Sequence, residues 1–86
     1  MPERTVVVAS TVGLHARPAA LFSQAAAQAP APVTLTAASG RSVNAASILG
    51  VLSLGIDHGE RVTLVSDDAD TLDSLVAMLE RDLDRE

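Results

Sequence analysis

Val33-Thr34-Leu35-Thr36-Ala37, then Ala38-Ser39-Gly40, then Arg41-Ser42-Val43 is the stretch that decides the fold. The first segment alternates with period two and is rich in β-branched residues. Gly40 supplies a permissive turn, and the last three residues make a brief returning strand, so the segment reads as a hairpin. Upstream, Pro30 and Pro32 bar any helix from running into it. The helix they stop spans Ala16 to about Ala29, with Ala19, Phe22, Ala26 and Ala29 on one face. Pro18 is tolerable only because it falls in the first turn. Ahead of that helix, Arg4 to Ala9 reads as a strand and Ser10 to Leu14 as a loop containing Gly13. Downstream of the hairpin, Ala46 to Leu54 reads as a short helix, with Ser47 near its start and Gly55 after it. Asp57-His58-Gly59 is a loop and Arg61 to Ser66 a strand. Asp67 or Asp68 caps a last helix whose stripe is Leu72, Leu75, Val76, Leu79 and Leu83. The order is βαββαβα. Since two strands form a hairpin, the three helices cannot all be crossovers of a parallel sheet. The predicted fold is α+β, a four-stranded antiparallel sheet with three helices on one face.

Composition narrows the function. The 86 residues suit one domain, residues 1–86, without repeat or linker. A chain of this size buries only about 60–65% of its unfolded surface. There is no cysteine, so neither a disulfide nor a thiolate metal site contributes. The core must be Ala, Val, Leu and Ile around the single Phe22. All six cations are Arg, against eleven acidic residues, for a net charge of −5. An acidic chain without Trp or Tyr lacks the basic grooves and stacking platforms that nucleic acid needs. No apolar run approaches a membrane span, and the first residues lack the layout of a signal peptide, so a cytoplasmic, soluble protein is expected. The two histidines have no further ligands at metal-binding spacing, so neither a metal nor another cofactor is expected.

Function concentrates in Leu14-His15-Ala16-Arg17-Pro18, between the Val-rich strand and the Ala-rich helix. A helix start carries unsatisfied N–H groups and roughly half a positive charge. It disfavours imidazolium and so favours the neutral, nucleophilic form of His15. A phosphoryl group attached to the ring would be held by the backbone N–H of Ala16 and by the fork of Arg17. No other stretch combines a nucleophile, a cation and a helix start. His58, in a Gly-flanked loop without such a cation, reads as solvent-exposed.

Gly13-Leu14-His15-Ala16-Arg17-Pro18-Ala19 resembles the active-site signature of the HPr family, the histidine-containing phosphocarriers of the bacterial sugar phosphotransferase system. Val43 to Gly55 is similar to that family's regulatory-serine segment, and both blocks stand at the family's spacing. The resemblance implies an open-faced β-sandwich, in agreement with the element order. It implies that His15 accepts a phosphoryl group on Nδ1 from phosphorylated Enzyme I and passes it to the IIA component of a sugar permease. Arg17 would stabilise the phosphate. Such a carrier is not an enzyme in the strict sense, and one that docks two proteins at one face is expected to be a monomer.

Ser47 matches the serine that an ATP-dependent HPr kinase phosphorylates in many Gram-positive members. It also suits a plain helix N-cap, worth ~1 kcal/mol. Ile48, Leu49 and Leu52 correspond to the family's exposed apolar contact patch, while Val51 and Leu54 are expected to be buried. Four positions depart from the family pattern, the first being Ala46, which precedes Ser47 where a lysine often stands. Val12 replaces a polar supporting residue, for which Thr11 or Ser10 could substitute. Gln24 and Gln28 stand where many members carry lysines, which weakens electrostatic steering. Two other roles share these residues: a regulatory HPr-like binding module, and a paralogue in a nitrogen-related or dihydroxyacetone-linked phosphorelay.

Overall fold

The computed structural model describes residues 2–11 and 13–81. The elements follow the expected order: β1 (Glu3–Val7), α1 (Ala16–Ala27), β2 (Val33–Thr36), β3 (Ser42–Asn44), α2 (Ile48–Ser53), β4 (Arg61–Ser66) and α3 (Ala69–Leu79). The four strands form one sheet in the order β1-β4-β2-β3, with every pairing antiparallel. The hairpin β2–β3 lies at one side. The two other strand connections run through α1 and α2, which pack with α3 over one face. The structure is the open-faced α+β sandwich expected from the sequence.

Strand alternation separates the two faces. Val6, Val33, Leu35, Val62 and Leu64 point inward and are buried. The intervening residues line the uncovered face. There the register places Thr5 opposite Thr63, Thr63 opposite Thr36, and Thr36 opposite Ser42. Hydroxyls therefore cross all four strands in one row, joined at 3.4 Å between Thr5 and Thr63 and 2.8 Å between Thr36 and Ser42. Side chains that pair with each other and with water let this face remain open without a helical cover. Beneath the helices, Leu14, Phe22, Leu35, Ile56, Leu64, Leu72, Leu75 and Leu79 are essentially inaccessible. Removing each such side chain from water stabilises the fold by about 1.5–3 kcal/mol.

Element ends differ from the sequence expectation where backbone groups find other partners. β1 stops at Val7 rather than Ala9. Val8 still exchanges hydrogen bonds with the Gly59–Glu60 turn, but Ala9 N donates to Leu79 O at 3.0 Å, at the end of α3. The chain thus leaves the ladder to satisfy a helix carbonyl. α1 ends at Ala27 rather than Ala29, because the Gln28 N–H is already shared among carbonyls of the last turn and Pro30 follows. α2 starts at Ile48 rather than Ala46, since Ser47 is its N-cap and Ala46 N donates to Asn44 Oδ1 at 2.9 Å. The hairpin strands shift likewise, β2 ending one residue before Ala37 and β3 running from Ser42 to Asn44. Asp68 holds the N-cap position of α3, but its carboxylate accepts from the Thr71 hydroxyl instead of a backbone amide. Val51 is buried as expected, whereas Leu54 is half-buried at the rim of the core. Leu83 and Val12 lie outside the described residues.

Candidate functional site

The site is made where the segment entering α1 meets the segment leaving α2. Gly13 N donates to Ser10 O at 2.9 Å, closing a tight turn, and Leu14 N donates to Ile56 O at 2.9 Å. Leu14 is fully buried and anchors this crossing in the core. Gly13 has φ +70°, and a Cβ built on it would lie 2.2 Å from Ile56 O and 2.7 Å from Asp57 Cα. The glycine therefore serves both the left-handed conformation and the close approach of two backbones. His58 is exposed as expected, but it is also a tether. Its Nδ1 lies 3.1 Å from Ser10 O, a contact that requires a proton on that nitrogen. Of the two hydroxyl residues beside Val12, Ser10 is buried and Thr11 exposed.

These contacts leave His15 as the N-cap residue of α1, with extended dihedrals of φ −127° and ψ 161°. Its imidazole makes no capping hydrogen bond. A capping side chain usually takes the N–H of the second or third helical residue. Here the third is Pro18, which has none. The first turn also holds no acidic residue, so no carboxylate within it offsets the positive end of the helix. The Ala16 N–H belongs to this end, and Arg17, in the same turn, is exposed. The imidazole is 40% exposed, open enough for a reagent in solution to reach. His15, Ala16 N–H and Arg17 thus share one helix start, which is the local half of the sequence reading.

Asp57 is the neighbour that sequence reasoning missed. Its Oδ1 lies 3.7 Å from His15 Nε2, an ion-pair separation longer than a hydrogen bond. The only hint in the sequence was its place between Gly55 and Gly59. Proximity across more than forty residues carries no local signal.

Ser47 occupies a second position. Its Oγ accepts from Gly50 N at 3.1 Å, so it is the N-cap of α2, and it is exposed. Ile48, Leu49 and Leu52 are all exposed, Leu49 to 77%. Ile48 also lines a groove of about 210 Å³ between α1 and α2 with Ala20, Ser23, Gln24, Ala27 and Ala46. Gln24 and Gln28 are exposed on α1. Among the described residues there is no cluster of three metal-ligating side chains, and no helix is long and apolar enough to cross a membrane.

Comparison with known proteins bears on this arrangement. The family model of the PTS HPr component phosphorylation site matches residues 2–81. The chain is 52% identical over 67 residues to the phosphocarrier protein HPr of Streptomyces coelicolor, covering 78% of this chain and 72% of that protein. It is 38% identical over 85 residues to the HPr-like protein Crh of Halalkalibacterium halodurans, covering 95% and 100% respectively. The crystal structure of HPr-C-His from Thermoanaerobacter tengcongensis matches with a TM-score of 0.91 and 36% identity, covering 100% of this chain and 99% of that one.

Proposed function

This chain belongs to the HPr family of phosphotransferase-system phosphocarriers, and from that premise we propose that His15 is its phosphoryl acceptor. The donor is phosphorylated Enzyme I and the acceptor a IIA component of a sugar permease. The observation that carries the reading is the uncapped, half-exposed imidazole of His15 at a helix start without acidic residues. The lone pair of Nδ1 attacks phosphorus, and the bond from phosphorus to the donor breaks with its electron pair staying on the donor. The new charge develops beside the N–H of Ala16 and the guanidinium of Arg17. Both stabilise it without reorganisation, because Pro18 and the Gly13 turn preset the helix start. Onward transfer is the reverse displacement, with the electron pair returning to Nδ1. The reaction needs no cofactor from this protein, and a monomer that operates in the cytoplasm suits a shuttle between two partners.

Ile48, Leu49 and Leu52 form the docking patch in this reading. They are exposed apolar side chains on a helix packed beside α1, so a partner seated on them also reaches the first helix. With glutamines at positions 24 and 28 in place of cations, apolar contact and Arg17 carry more of the recognition. Ser47 is the regulatory position. Its exposed hydroxyl adjoins Ile48, and a phosphate there would set negative charge at the edge of the patch.

The test is incubation with Enzyme I and phosphoenolpyruvate, followed by intact mass. An acid-labile phosphate that is absent from His15→Ala supports the reading, and an adduct that survives His15→Ala defeats it. ATP with an HPr kinase should give an acid-stable phosphate that is lost in Ser47→Ala.

A further inference from the structure

We propose that Asp57 is a positioning residue for His15: its carboxylate holds a proton on Nε2 through the phosphoryl cycle. The inference deepens the carrier reading and rests on it. Two independent sets of contacts place the turn that carries the carboxylate. The first is the backbone crossing, in which Leu14 N binds Ile56 O at 2.9 Å and Gly13 leaves no room for a Cβ against Ile56 and Asp57. The second is Glu60. Its Oε1 accepts from Asp57 N at 3.4 Å, its Oε2 accepts from Ala38 N at 3.2 Å, and its own N–H donates to Asp57 O at 3.1 Å. The turn that carries Asp57 is therefore fastened both to the loop before His15 and to the hairpin.

The chemistry follows from which ring nitrogen faces the carboxylate. Nε2 faces Oδ1 at 3.7 Å, so a proton on Nε2 is the state this neighbour favours. That tautomer leaves the lone pair on Nδ1, the nitrogen that attacks. When the N–P bond forms, the ring keeps its Nε2 proton and becomes cationic, while the phosphoryl group carries two negative charges. The carboxylate now faces a cation, and the contact tightens. When phosphorus leaves, the electron pair of the N–P bond returns to Nδ1. The ring then departs as a neutral imidazole, not as imidazolate, and no proton has to move in either direction. An aspartate that fixes the tautomer of a reacting histidine and stabilises its cation plays the same part in hydrolytic triads.

The charged groups around the ring act in different directions. On α1, Arg17 and the helix start oppose the ring cation and favour the phosphate. On the turn, Asp57 favours the cation. Glu60 is committed to the two amides and His58 to Ser10 O. Since Asp57 is 85% exposed, solvent screens it, and its effect belongs to the modest class of surface ion pairs.

The experiment compares wild-type protein with Asp57→Asn and Asp57→Glu. Each is phosphorylated by Enzyme I with phosphoenolpyruvate and, separately, by phosphoramidate, which needs no partner protein. Hydrolysis of the isolated phosphoprotein is then followed against pH. Protonation at Nε2 makes the phosphoryl group the more labile, so wild type should keep its fast rate to higher pH. Asp57→Asn should hydrolyse roughly two- to fivefold more slowly near neutrality, the scale of an exposed ion pair. Its profile should move to lower pH by about 0.3–0.7 unit, which is that ratio on a logarithmic scale. Asp57→Glu should recover most of the difference. Superimposable profiles for wild type and Asp57→Asn overturn the role of Asp57 and leave His15 as the acceptor. Failure of both reagents to phosphorylate His15 overturns the carrier reading, and this proposal with it.

Discussion

Replacing Gly13 by alanine tests the crossing on which the site depends. The new Cβ would meet Ile56 O at 2.2 Å and Asp57 Cα at 2.7 Å, in a backbone conformation of φ +70°. The left-handed conformation costs a non-glycine residue about 1–2 kcal/mol. The overlap must also be relieved by moving one backbone away from the other by ~1 Å or more. That displacement breaks or stretches the hydrogen bond from Leu14 N to Ile56 O, and Leu14 is fully buried. Leaving such an amide unsatisfied costs a further 1–3 kcal/mol, so the total is about 2–5 kcal/mol. A domain of this size holds about 5–15 kcal/mol in all. Gly55→Ala is the control, because Gly55 has φ +61° but nothing within 4 Å of its would-be Cβ. It incurs the conformational cost alone, and the loss of unfolded-state entropy on adding a methyl is the same for both. The assay is urea unfolding followed by circular dichroism. With a slope near 1 kcal/mol per molar, the two midpoints should differ by about 1–3 M, Gly13→Ala being the lower. Equal midpoints would refute the close approach of these two segments.

Two further outcomes follow from the second helix. Ser47→Ala removes the cap that holds Gly50 N and should lower stability by ~1 kcal/mol in thermal unfolding, a shift of about 4–8 °C. Leu49→Ser removes the most exposed apolar side chain of α2. It should change stability by less than ~0.5 kcal/mol while reducing the rate of phosphoryl transfer from Enzyme I several-fold. An unchanged transfer rate would separate the exposed apolar patch from docking.

The two halves of the site differ in how readable they were. His15, Ala16, Arg17 and Pro18 lie within one turn of each other, and their meaning depends on helix polarity, which is local. The β2–β3 hairpin and the stripe of α3 were legible for the same reason, since their periodicity is written within a few residues. Helix and strand ends were less so. Ala9 left its strand because a carbonyl of α3 needed a donor, and Ala46 stayed out of α2 because the Asn44 side chain took its amide. Such competition among hydrogen-bonding partners has no trace in propensity.

What the sequence determined by itself was a histidine at the positive end of a helix, within an antiparallel sheet covered on one side. Both follow from short-range pattern, and the family match agrees with them. Only the tertiary structure decided what stands on the other side of the ring. Gly13 looked like a permissive loop residue, and Asp57 looked like part of a solvated turn. The fold brings them together because buried Leu14 and Ile56 draw their segments into one core, and the missing side chain at Gly13 lets the backbones touch. The histidine at the helix start is a local fact of the chain, whereas the carboxylate opposite Nε2 is a consequence of packing.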